Sequence, residues 1–379
     1  MITNLLNLKS QTELSGFYII YEGSVNLETK GIYGISHLLE HLLCKTFEHL
    51  RDEFETYAID WNAYTSGNEI VFHFNGLDDN LKGYRKELVE CLSNFTITKE
   101  DFANELKIVI EEYNDTFNDQ STSHHLNLDR KLFNLYDPIG LKEDLENLKF
   151  LDCINFYEKQ FMNPTKVINV SKNSDFKYDI DFSDVPKGRE YDFLENNTNV
   201  ELELGNDFKN KSSIICISPF ITDDFEYVHF INYLLSSGLN SPIYKEVREK
   251  RQLVYSIGCS MRRLNGKSLN YISTVTGNEN AAKVIETLDM IFKNRDKYFT
   301  KERFDIIKES IKVNLKKQDI NRHASVGRWI SPDNYSLTTE FIEEISFDKC
   351  KEVFDKYFNF DDYYKSIDKE EFGENETSK

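Results

Sequence analysis

One succession of apolar patterns runs from Leu14 to Val170, and after a polar stretch from Ser174 to Asn199 the same order of elements starts again. In the first half, Leu14–Gly23 (LSGFYIIYEG) alternates, is rich in β-branched and aromatic residues and reads as a strand. Tyr33–Leu50 carries apolar residues at helical spacing, with Ser36 as a possible cap. Asn62–Asn75 alternates as one or two strands, and Asn80–Phe95 is helical. A long helix from about Lys99 to Phe117 starts behind Thr98-Lys-Glu-Asp101, which resembles a capping box. His124-His125 follows in an expected loop, then a short helix at Leu151–Phe161 and a strand at Pro164–Val170.

The second half repeats the order. A strand at Ser213–Phe220 precedes a helix at Asp224–Ser236 and a further helix ending in Glu246-Val-Arg-Glu-Lys. Strands at Tyr255–Arg262 and Ser268–Thr276 follow, then helices at Asn280–Asn294 and Lys301–Lys317. The expected fold class is α+β, with two similar domains, each a mostly antiparallel sheet packed with helices. Expected boundaries are 1–175 for the first domain, 176–200 for a linker holding Pro186 and Gly188, 201–369 for the second domain and 370–379 for a disordered tail.

Charge and cysteine usage exclude several classes. A formal net charge of −19 disfavours nucleic acid and anionic membranes as partners. No apolar run approaches the roughly 20 residues of a membrane helix, and the first residues resemble no signal or transit sequence. The six cysteines are scattered without a CxxC pair, which fits free thiols in a reducing compartment and argues against a cysteine-bound zinc. A cytoplasmic protein is the expectation.

His37-Leu-Leu-Glu40-His41 carries the chemistry. On a helix, residues four apart share a face, so both imidazoles can reach one ion while Glu40 addresses a water instead. This is the reversed zincin arrangement, in which the carboxylate takes a proton from the water that attacks a peptide carbonyl. Chance yields such a motif in roughly one or two of a hundred chains of this composition, so a third ligand matters. The helix after Lys99 offers two stripes. Asn104, Lys107, Glu111 and Asp115 form a polar, solvent-facing one. Glu105, Ile108, Val109 and Glu112 form a half-apolar one, where carboxylates need a reason that a cation supplies. Glu112 is then the better ligand and Glu105 a supporting group, although surface placement accounts equally well for either glutamate alone.

These residues resemble the pitrilysin-like metallopeptidases, the family of insulin-degrading enzyme and the mitochondrial processing peptidase. The likeness rests on His37-Leu-Leu-Glu-His41, a Glu-x6-Glu pair about 70 residues on, Asn62-Ala-Tyr-Thr-Ser66, and the Arg248-x6-Tyr255 segment. It spans roughly Ser10 to Ile345 in the expected order.

The resemblance implies one zinc per chain held by His37, His41 and Glu112, with Glu40 as general base and Glu105 supporting the site. It implies that Asn62 and the backbone around Ala63, Tyr64 and Thr65 bind an extended peptide along a strand edge. Arg248 and Tyr255 would donate to the carbonyl oxygen as charge develops. Without the family, Arg248 reads as a solvated helix residue and Tyr255 as a strand-face aromatic. The resemblance further implies a homodimer enclosing a chamber, with Arg248 and Tyr255 acting across the interface on peptides or unfolded segments. Cys44-Lys45-Thr46 departs from the family's usual aromatic or Met followed by Lys-Gly-Thr, Ser236-Ser237-Gly238 from its richer glycine run, and Pro242 from a common arginine. The competing functions are a non-catalytic scaffold or partner subunit and a structural zinc protein.

Overall fold

β-Branched and aromatic runs become nine strands among the described residues of the computed structural model, which describes residues 4–93, 95–173, 175–187, 210–220, 224–264, 267–318, 322–331 and 337–369. The strands are β1 (Leu5–Lys9), β2 (Leu14–Glu22), β3 (Asp60–Thr65), β4 (Glu69–Leu77), β5 (Lys166–Ser171), β6 (Lys211–Phe220), β7 (Ile257–Leu264), β8 (Lys267–Gly277) and β9 (Tyr364–Lys369). They form two sheets, ordered β1-β5-β2-β4-β3 and β7-β8-β6-β9. All pairings are antiparallel except β1 with β5. Read from its β9 edge, the second sheet runs β9-β6-β8-β7, the same succession as β5-β2-β4-β3. The helix after β2 (Ile35–Cys44) corresponds to the helix after β6 (Phe225–Ser236), and each packs against its own sheet's edge strand, β3 or β7. The repeat in the sequence is a repeat in topology.

Two compact units contain these sheets. One comprises residues 1–115, 136–190 and 316–335, the other 116–135, 191–315 and 336–379. The units are therefore not continuous in sequence, as boundaries at 175 and 201 would have them. The reason lies in what covers each sheet. In the first unit, Phe17, Ile19 and Tyr21 of β2 pack with Leu38, Leu39, Leu42 and Leu43 of the 35–44 helix. The alternate residues Tyr18 and Ile20 face the other way, onto Val326 and Ile330 of the helix Arg322–Ile330. Both faces of β2 are thus buried, which explains its unbroken apolar run. In the second unit, Leu128, Leu132 and Phe133 of the helix Gln120–Phe133 cover Ile215, Ile217, Leu269 and Tyr271.

That helix corrects one expectation. His124-His125 lies within it, not in a loop. His124 is buried, Nδ1 2.9 Å from Ser213 Oγ and Nε2 2.8 Å from Ser366 Oγ. The expected tail 370–379 and the stretch 188–200 of the expected linker lie outside the described residues. Among the described residues, no helix is long and apolar enough to cross a membrane.

Candidate metal and active site

The helix carrying the HxxEH motif, Ile35–Cys44, has its N-cap at Gly34, not at Ser36. Gly34 has φ +102°, a conformation that favours glycine, and a Cβ there would stand 2.7 Å from Leu145 Cδ2. The cap comes from elsewhere in the chain. Buried Glu28 accepts from the Gly34 N–H at 2.9 Å and the Ser36 N–H at 2.8 Å, placing an anion at the positive end of the helix. Ser36 sits inside the helix instead. Leu38, Leu39, Leu42 and Leu43 hold the opposite face in the core, so His37 and His41 emerge together on the remaining face.

The second contributing helix, Lys99–Asn118, is set by the capping box. The Asp101 N–H donates to Thr98 Oγ1 at 3.0 Å, and the Thr98 N–H to Asp101 Oδ2 at 3.0 Å. Asn104, Lys107, Glu111 and Asp115 are exposed, as the stripe requires. Glu105 and Val109 are buried and Glu112 half-buried, while Ile108 is exposed, contrary to its stripe.

His37, His41 and Glu112 come together at one point. His37 Nε2 lies 3.3 Å from His41 Nε2, and Glu112 Oε2 lies 3.4 Å and 3.7 Å from those two nitrogens. Ligand atoms at tetrahedral angles about 2.0–2.1 Å from zinc stand roughly 3.3–3.4 Å apart. Three acceptor atoms at that separation fit a zinc ion. Burial, and then neighbouring His41, lower the His37 pKa to about 4, so its imidazole is neutral and able to ligate at neutral pH. Glu105 Oε2 is 3.3 Å from His41 Nδ1, the ring nitrogen turned away from the convergence point. Accepting from an Nδ1–H fixes the tautomer that leaves Nε2 free for a metal. His37 Nδ1 is buried and has no such partner among the described residues.

Glu40 projects from the same helix and is buried. Thr65 Oγ1 donates to its Oε2 at 2.7 Å, joining the helix to β3. Burial pushes the Glu40 carboxyl above the ordinary carboxylate range, against the downward pulls of the Thr65 hydroxyl and His41. A carboxylate raised in this way is a stronger proton acceptor than an ordinary glutamate.

β3 is the outermost strand of its sheet and carries Asn62, Ala63, Tyr64 and Thr65. Asn62 is exposed, with its Oδ1 2.9 Å from the Ala63 N–H. In the second unit, Arg248 lies on a π-helical stretch, Tyr244–Lys250. Its guanidinium stands 4.8 Å from the ring centroids of both Tyr244 and Tyr255. Tyr255 is 82% exposed and precedes β7 rather than lying on the strand. The structure thus brings Arg248 and Tyr255 together as a stacked pair. Sequence reasoning assigned no role to Lys45, whose Nζ is 3.2 Å from Glu105 Oε1 and 2.8 Å from Glu48 Oε1. Its position four residues after His41 was the available signal.

Comparison with known proteins agrees with this architecture. Residues 11–137 match the family described as Insulinase (Peptidase family M16), and residues 177–311 match the Peptidase M16 inactive domain. A Rickettsia felis protein named as an uncharacterized zinc protease is 21% identical over 361 residues, covering 86% of this chain and 85% of that protein. A protease from Helicobacter pylori superposes with a TM-score of 0.77 at 16% identity, over 96% of each chain. A peptidase M16 inactive domain from Pseudomonas fluorescens superposes with a TM-score of 0.71 at 14% identity, over 96% of this chain and 94% of that one. The matches to both halves, in order and over the same repeated topology, make this chain a member of the pitrilysin-like M16 family.

Proposed function

We propose that the chain is a zinc-dependent endopeptidase that cleaves peptides or unfolded segments. The observation that carries this reading is the triangle of His37 Nε2, His41 Nε2 and Glu112 Oε2, with Glu40 beside it on the same helix. His37, His41 and Glu112 would hold one zinc per chain. When bound, zinc supplies a Lewis acid that acidifies water and polarises a peptide carbonyl. Glu40 takes the proton from the attacking water and returns it to the leaving amine, with Thr65 holding the carboxylate in line. Glu105 orients His41. The outer edge of β3, from Asn62 through Thr65, receives the substrate as an added strand, so affinity comes from backbone bonds with little demand on sequence. Arg248 and the exposed Tyr255 donate to the carbonyl oxygen as charge develops, and they do so from the second subunit of a homodimer.

The name carried by the Rickettsia relative supports a zinc protease, and the six free cysteines fit a cytoplasmic setting. The alternative is a non-catalytic partner subunit. It is favoured only by the inactive-domain match, which covers residues 177–311 and leaves out the metal-site residues.

The test is cleavage of a quenched fluorescent peptide library, with and without phenanthroline, beside Glu40→Gln. Cleavage that stops with chelator, returns with zinc and is absent from the variant supports the enzyme. A zinc-loaded chain that cleaves nothing supports the partner subunit.

A further inference from the structure

Beside Glu40 and His41 the first unit has a cavity of about 360 Å³, walled by Lys45, Glu48, Arg51, Trp61 and Glu105. A substrate residue next to the scissile bond would place its side chain here, because the cavity borders the base itself; this rests on the peptidase reading above. The charges on its walls are unequally satisfied. Glu105 and Glu48 both hold Lys45, at 3.2 Å and 2.8 Å, and Glu105 also faces His41 Nδ1 at 3.3 Å. Arg51, exposed at the start of the helix Arg51–Thr56, has no carboxylate within ion-pair distance among the described residues. Trp61 supplies a fixed apolar wall, its ring held 5.7 Å from Phe47 and 6.2 Å from Phe74.

We infer that this cavity is a specificity pocket for an acidic side chain, with Arg51 as the selecting residue. A carboxylate entering it meets a guanidinium that has no partner to give up, in a geometry suited to two parallel hydrogen bonds. A cationic side chain meets that same guanidinium, and at Glu105 it finds one oxygen already facing Lys45 and the other His41. The methylenes of a glutamate also lie along Trp61, which favours Glu over Asp. The chain's net charge of −19 gives the opposite global bias, towards cationic peptides, so the local pocket and the overall field make different predictions.

The experiment compares kcat/KM for peptides that differ only in carrying Glu, Gln or Lys on either side of the scissile bond. It uses wild type, Arg51→Gln and Arg51→Glu. At an exposed guanidinium the expected preference for Glu over Gln at one of those two positions is about fivefold. Arg51→Gln removes it, and Arg51→Glu turns it into a preference for Lys. An unchanged ranking in all three proteins overturns the inference. If wild type cleaves none of the peptides, the peptidase reading fails separately, and anisotropy of the labelled peptides on zinc-loaded Glu40→Gln decides the pocket. Tighter binding of Glu peptides that is lost in Glu40→Gln/Arg51→Gln supports it, and equal or absent binding overturns it.

Discussion

Thr65 Oγ1 and Glu40 Oε2 lie 2.7 Å apart, one on the edge strand β3 and the other on the helix that carries His37 and His41. The bond fixes one carboxylate oxygen; under the proposed mechanism the other is the one that takes the proton from water. Thr65→Val keeps the shape of the side chain and removes the donor. A hydrogen bond to a charged group is worth roughly 1.5–3 kcal/mol, so kcat/KM should fall about tenfold or more while zinc affinity stays as in wild type. Steady-state kinetics beside a zinc competition titration separates the two quantities.

Glu105 links His41 and Lys45 through its two oxygens. Glu105→Gln keeps the length but loses the negative charge that faces His41 Nδ1. Zinc affinity should fall about 10- to 100-fold, the usual effect of losing a carboxylate behind a metal-bound histidine. A chromophoric chelator in competition for the metal measures it, and far-UV circular dichroism shows that the fold is retained.

Arg248 is held between the rings of Tyr244 and Tyr255. Tyr255→Phe leaves that stack in place and removes only the hydroxyl. If the hydroxyl stabilises charge in the transition state, kcat should drop about 100-fold with little change in KM. A rise in KM with kcat unchanged would assign Tyr255 to binding instead.

His124 predicts an acid-sensitive second unit. It is 1% exposed, and burial, with a smaller contribution from His125, lowers its pKa to about 3. Unfolded, it titrates near its ordinary value of about 6.5. The unfolded chain therefore binds more protons between those two values. Stability is fully present above about pH 6.5 and is lost as pH falls below it. At pH 5 the loss from this one group is about 2 kcal/mol. Urea midpoints at pH 7.5 and pH 5 should show it. His124→Gln should flatten part of the slope, while His229, lowered to about 4 by its own burial, keeps the remainder.

What the sequence made legible was local. The spacing of His37 and His41 and the capping box of Thr98 and Asp101 are set by neighbours within a turn, and both recur in the structure; β2 lies where its β-branched and aromatic run predicts a strand, but it is buried on both faces instead of alternating. What it hid depends on distant partners. Gly34 starts its helix because Glu28 caps it and Leu145 and Gly140 press against it, none of which a helical periodicity reveals. His124 looks like a polar loop residue until Ser213 and Ser366, 89 and 242 positions away, are brought to its two nitrogens. The helices 120–133 and 322–330 each cover a sheet built mainly from the other half of the chain, so a single cut in the sequence could not find the units. Lys45 stands where the family also has a lysine, but its role follows from Glu105, 60 residues on.

The most direct test is a stoichiometric one. Metal-free protein is titrated with zinc while peptide cleavage and bound zinc are followed in the same samples. Activity should rise in step with zinc and saturate at one equivalent per chain. Glu40→Gln should bind the same single equivalent and stay inactive, and His41→Ala should bind none tightly. Tight zinc binding by His41→Ala, or cleavage by Glu40→Gln at the wild-type rate, would contradict the peptidase reading.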